Sequence, residues 1–213
     1  MIHVPSPREE LWNALTHGAG ALLSLVGASV LIALTAMHGT GVQLGGAIVF
    51  GIALVGLYTA STLYHAARDP VAKARLKVLD HCAIYVLIAG SYTPFTLIGL
   101  RGHGGEMLFA AVWTLAALGV GFKLFFTGRF KGVSTGIYLG MGWLIVLAGK
   151  PLFVALSGPT LAWLFAGGAA YSLGTVFYMM RRGWAHPVWH GFVLAGSACH
   201  FVAVSMQVLV RAS

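Results

Sequence analysis

Five residues in this chain have types and spacings that could do chemistry together. His186 and His190 stand four apart in His186-Pro-Val-Trp-His190. On a helix that spacing puts both imidazoles on one face, with Cβ atoms roughly 5–6 Å apart, so both can reach one metal ion. Ser61-Thr-Leu-Tyr-His65 places a hydroxyl and a third imidazole on one face in the same way. Of the five acidic residues, Glu9, Glu10, Asp69 and Glu106 fall in polar segments, and Asp80 alone adjoins a long apolar run. An intramembrane carboxylate is costly enough to be read as functional by default. Three neutral imidazoles leave a tetrahedral Zn²⁺ with one open position, the arrangement of a catalytic site. Water in that position has a pKa of about 7 and becomes a usable nucleophile. A carboxylate beside it can hold it and shuttle its proton, and the Ser61 hydroxyl can donate to that water or to a polarised carbonyl.

Elements far apart in the chain must bring these side chains to one place. With 58% hydrophobic and 8% charged residues in 213, the composition departs from soluble domains, which carry about 25% charged residues. Apolar runs of about 20 residues recur, each long enough to cross a hydrocarbon core roughly 30 Å thick. The runs fall at about 15–37, 42–64, 80–100, 107–126, 133–148, 160–180 and 186–210. They predict an all-α membrane protein of seven transmembrane helices in a single domain, 1–213, with 1–14 a short polar arm and a charged connector before Asp80. Pro94 predicts a kink in the third span. The apolar stretch 152–156 either prolongs the fifth span past a kink or lies at the membrane interface. Gly-x-x-x-Gly patterns such as Gly136 to Gly140 predict close helix contacts.

Loop charge sets the orientation. Seven spans put the termini on opposite sides. Arg8, Arg68, Lys73, Arg75, Lys77, Arg129, Lys131, Arg181 and Arg182 fall on one side, against Arg101, Lys150 and Arg211 on the other; Lys123, near a span end, can snorkel toward the basic side. The bias predicts a cytoplasmic N-terminus and an outside C-terminus. It also accounts for the net charge of +8 and gives no reason to expect a nucleic-acid partner. Cys82 and Cys199 lie inside apolar runs and follow no paired-thiol motif. Residues 1–10 show no cleavable signal peptide, so the first span is expected to serve as its own insertion signal. With this topology His65 closes span 2, Asp80 opens span 3, and His186 and His190 open span 7. All arrive at the cytoplasmic face, by an argument independent of their chemistry.

The set resembles a known signature. Ser61-x-x-x-His65, Asp80 and His186-x-x-x-His190 with a further His200 are similar to the pattern of the progestin and adipoQ receptor superfamily. With Glu10-Leu-Trp-Asn13-Ala-Leu-Thr-His17 at the start of span 1, the chain most resembles its bacterial haemolysin III-like branch. The resemblance covers nearly the whole chain. It implies a multi-pass protein of the bacterial inner membrane, with His65, His186 and His190 as zinc ligands and Asp80 contacting the zinc-bound water. Alkaline ceramidases, similar in their site, imply hydrolysis of a lipid amide. The branch further implies cytolysis, or a part in membrane lipid homeostasis.

Plainer readings stand beside these. The three histidines can be interfacial side chains capping helix ends. Asp80 can be a helix N-cap or an ion-pair partner of Lys77. His17, His38 and His103 are read as structural, His17 having the depth for a supporting role. His81 points about 100° away from Asp80 around the helix. His200, about 15 Å beyond His190 along a helix, is too far for the same ion. Three functions follow: a zinc-dependent lipid amidase or esterase using Asp80 and Ser61, a receptor or membrane-state sensor with structural zinc, and a pore-forming cytolysin. No charged stripe along any span supports the pore.

Overall fold

Ser6-Pro7-Arg8-Glu9 is a helix start by its chemistry. The Ser6 hydroxyl accepts from Glu9 N, and Glu9 reaches back to Ser6 N at 2.6 Å, closing a capping box with Pro7 in the first turn. In the computed structural model, which describes residues 5–180 and 182–210, helix α1 therefore runs Pro7–His38. The expected polar arm over 1–14 is helical from Pro7, and residues 1–4 lie outside the described residues. Helix α2, Gly41–Ala66, starts on a second capping box, Thr40 with Gln43.

Helix α3, Pro70–Pro94, corrects the expected start of span 3. Its N-cap is Asp69, which accepts from Ala72 N at 2.7 Å. The charged connector is thus mostly the first turns of α3, and Asp80 lies about three turns inside the helix rather than capping it. Hydropathy marks where a helix becomes apolar; caps mark where it begins. The expected disturbance at Pro94 takes the form of a π-helical turn, Phe95–Gly99, since proline has no N–H to give the preceding turn.

Helices α4 (Gly105–Phe126) and α5 (Lys131–Trp143) follow, α5 ending in a 3₁₀ segment, Leu144–Ala148. Gly149, at φ 57 and ψ −137, takes a conformation closed to most side chains and breaks the chain direction. The stretch 152–156 belongs mostly to a separate short helix, α6, Lys150–Ala155. Helices α7, Gly158–Met179, and α8, Ala185–Val208, complete the fold. Seven helical segments are long and apolar enough to cross a membrane, and no strand occurs among the described residues.

Helix α2 packs between α1 and α3, α8 against α7 and α1, and α4 against α3, while α5 touches its neighbours lightly. Phe50, Tyr58, Tyr85 and Phe95 are fully buried between them. Leu22, Leu23, Val26 and Met107 face outward, as lipid-facing positions do. Gly136 and Gly140 do not make the expected helix contacts. A Cβ on either would meet nothing within 4 Å, and both are exposed, because the glycine face of α5 looks out of the bundle.

Candidate metal centre

The last turn of α2 and the first turns of α8 meet. His65 and His190 are buried and His186 is half-buried, and each offers one ligand nitrogen within 4.8 Å of the other two. Their ring centroids are 5.2 Å (His65–His186), 5.0 Å (His65–His190) and 4.7 Å (His186–His190) apart. Pro187 sits in the first turn of α8, where a missing N–H costs no helical bond.

The surroundings select the ring nitrogens. His65 Nδ1 is 2.6 Å from Glu10 Oε2. A carboxylate accepts, so Nδ1 carries the proton. That leaves Nε2 with a lone pair, and Nε2 is buried without a hydrogen-bond partner. Glu10 is fixed in turn by Lys73 Nζ at 3.1 Å on its other oxygen. Lys73 also donates to Tyr64 O and Ala67 O at 3.1 and 3.3 Å, tying down the end of α2. His190 is held similarly. Its Nδ1 lies 3.2 Å from Thr16 Oγ1, and that hydroxyl gives its one proton to a backbone carbonyl, Trp12 O at 2.8 Å or Asn13 O at 3.0 Å. The hydroxyl must then accept from Nδ1, leaving His190 Nε2 for an ion. A carboxylate or hydroxyl behind a ligating imidazole is the usual support of a metal site. An orphaned His65 nitrogen inside a group of three imidazoles fits a bound ion.

Asp80, on α3, has its side chain 16% exposed, with His81 Nδ1 3.9 Å from its Oδ2 and the Ser61 hydroxyl as its side-chain partner. Ser61 is buried. The structure thus gathers all five sequence-predicted residues at one end of the bundle. His81 Nδ1 bonds Lys77 O at 2.7 Å while lying 3.9 Å from Asp80 Oδ2, and Tyr138 Oη donates to its carbonyl at 3.1 Å. His200 Nε2 bonds Leu164 O at 3.2 Å, joining α8 to α7. His17 stacks on His190 with centroids 3.5 Å apart. Both His17 nitrogens and Asn13 Oδ1 are buried without protein partners, so the space behind His190 is polar.

Glu10, Thr16 and Lys73 are the residues that sequence reasoning missed. The signal was present: residues 10, 13 and 17 follow the i, i+3, i+7 pattern of one helix face, provided the helix is started at its capping box.

An apolar cavity of about 110 Å³ adjoins the group, with Tyr178 and Trp189 at its near end and Trp143 and His200 in its far wall. From Trp189 to His200 the cavity follows α8 for about 16 Å. Tyr178 and His186 ring centroids are 6.2 Å apart, so the cavity ends beside a candidate ligand.

A family profile described as haemolysin-III related matches residues 6–201. The chain is 46% identical over 198 residues to a hemolysin-3 homolog of Bacillus subtilis, covering 92% of this chain and 93% of that protein. It is 46% identical over 207 residues to hemolysin-3 of Bacillus cereus, covering 97% and 94%. A more distant likeness, 24% over 230 residues and 95% of this chain but 51% of the other, is to an adiponectin receptor protein of Drosophila melanogaster. No solved structure matches the chain.

Proposed function

The chain belongs to the haemolysin-III-related family of multi-pass plasma-membrane proteins, and we propose that it is a zinc-dependent hydrolase of a membrane-lipid amide or ester, contributing to membrane lipid homeostasis. The observation that carries this is the His65–His186–His190 group with a carboxylate behind one imidazole and a second carboxylate, Asp80, beside it. An all-imidazole donor set suits zinc. Zinc, when bound, supplies Lewis acidity and brings the pKa of water toward neutrality.

Everything else is the chain's own work. Glu10 and Thr16 hold two imidazoles in the ligating tautomer. Asp80 takes a proton from water and returns it to the leaving group. Ser61, whose proton is released from Asp80 once that carboxyl is protonated, donates to the carbonyl oxygen as charge develops there. The apolar cavity takes a hydrocarbon chain, placing the scissile bond near His186. Loop charge puts the site at the cytoplasmic leaflet.

Two measurements test this. Purified protein should carry near-stoichiometric zinc, and the His65→Ala/His190→Ala double variant should lose it. Lipid extracts incubated with wild-type protein should yield products absent with Asp80→Ala; identical products would remove the hydrolase. The receptor name of the Drosophila relative favours a second reading, a membrane-state sensor with structural zinc. Zinc retained without any lipid product would select it. The hemolysin names of the Bacillus relatives favour cytolysis, which dye release from liposomes by a zinc-free variant would select.

A further inference from the structure

Next to the histidine group, the corner between α3, α4 and α5 gathers three lysines, with Asp80 the nearby carboxylate among the described residues. Lys123, near the end of α4, is 2% exposed, and its ammonium donates to a single neutral partner, Ser134 Oγ, at 2.6 Å. Its other close neighbours are the rings of Phe122 and Tyr138, with centroids at 5.9 and 6.0 Å. An ammonium has three protons to donate, and a buried one is costly unless its charge is met. A topology signal would need no burial at all.

Lys77 reaches over from α3, its Nζ 3.6 Å from the position of a Cβ on Gly128 in the α4–α5 turn. Neither Lys77 nor Lys123 has an ion-pair partner among the described residues. Lys131, the first residue of α5, donates to Tyr178 O and lies 3.9 Å from the centroid of that ring. Four of the acids are engaged elsewhere, Glu9 and Asp69 in caps, Glu10 on His65 and Glu106 on Gly102 N; Asp80, bonded to Ser61, lies near Lys77 but within ion-pair distance of neither Lys77 nor Lys123.

This corner is continuous with the apolar cavity. Thr135, Tyr138 and Tyr178 line that cavity. Thr135 also bonds Lys131 O at 3.0 Å, Tyr138 flanks Lys123, and Tyr178 separates Lys131 from His186. Basic pockets between membrane helices bind lipid phosphate. The apolar cavity alongside favours an anion attached to a hydrocarbon chain over a free one. We propose that Lys77, Lys123 and Lys131 bind the phosphate headgroup of a phospholipid whose acyl chain enters the cavity. Only the further step, that this phospholipid is the substrate, rests on the hydrolase proposed above.

The test is a binding measurement, independent of turnover. Delipidated wild-type protein in detergent, offered phosphatidylglycerol and diacylglycerol of equal chain length, is read by native mass spectrometry. It should retain phosphatidylglycerol selectively. Lys77→Gln should weaken that retention about fivefold and Lys77→Gln/Lys123→Gln about twenty-five-fold, at about 1 kcal/mol per basic residue, with zinc content unchanged. If Lys123→Gln fails to fold, the half-buried Lys77 still decides: Lys77→Gln loses selectivity and Lys77→Arg keeps it. Equal retention of the two lipids, unchanged retention in Lys77→Gln, or displacement by inorganic phosphate at the lipid's own concentration would overturn the assignment. Selective binding without lipid product leaves the headgroup site and removes the hydrolase. Selective binding with hydrolysis indifferent to headgroup leaves both the site and the hydrolase and removes only the step that makes this phospholipid the substrate.

Discussion

His65 spends one ring nitrogen on Glu10 and keeps the other, buried and unpaired. Glu10→Gln preserves a side chain that can accept from Nδ1, but removes the negative charge and the ion pair with Lys73. Loss of such a support costs about 10–100-fold in metal affinity. Zinc competition with a chelator should show that loss in Glu10→Gln while the protein still folds; unchanged affinity would leave Glu10 as a helix-packing residue. Asp80 predicts the opposite pattern. Asp80→Asn should keep zinc and lose about 10²–10⁴-fold in lipid hydrolysis, read as product formation at saturating lipid. The contrast explains what was legible in the sequence. His65, Asp80, His186, His190 and Ser61 stand out because polar groups in apolar runs are few. Glu10 lies among polar residues, where a carboxylate attracts no notice until the capping box shows that its segment is already helix.

Helices were legible as elements, less so in their starts and contacts. Each apolar run became a span, while α1 and α3 begin upstream at caps that hydropathy cannot see. Glycine spacing was a poorer guide still, since it does not say whether a partner is present. Gly119 on α4 lies under the ring of Tyr85, and an added Cβ there would collide with that ring. Tyr85 is fully buried, its ring centroid 4.5 Å from that of Tyr138, so it has nowhere to go. Gly119→Ala should therefore destabilise the protein by about 1–3 kcal/mol, the cost of overpacking. Gly136→Ala, with open space around it, should cost nothing and can gain up to about 1 kcal/mol in helix propensity. Thermal unfolding in detergent compares the two directly. Equal losses would mean that the outer face of α5 is covered in the functional protein.

At the scale of the whole molecule, two independent constraints locate the site. The Glu10–His65 and Glu10–Lys73 contacts bring the start of α1 to the α2–α3 corner. The histidine group then adds the start of α8, so four helix ends share one face whatever the membrane orientation. For the absolute direction we rely on loop charge, which proposes that this face is cytoplasmic. Arg68, Lys73, Arg75 and Lys77 crowd that face, and Arg101 and Lys150 are the basic residues described on the other; Arg181 and Arg211, which the sequence argument also used, lie outside the described residues. The prediction is that a fluorescent reporter inserted after Arg68 is active and a periplasm-dependent phosphatase there is silent, whereas a phosphatase fused after Val210 is active. The reverse pattern would move the histidine group, Asp80 and the lysine corner to the outer leaflet together, because the packing that joins them does not depend on which way the bundle is inserted. Its consequence would be specific: the metal chemistry could stand, but the lysines would no longer be explained by topology at all, and a bound anion would become the main reason left for their placement.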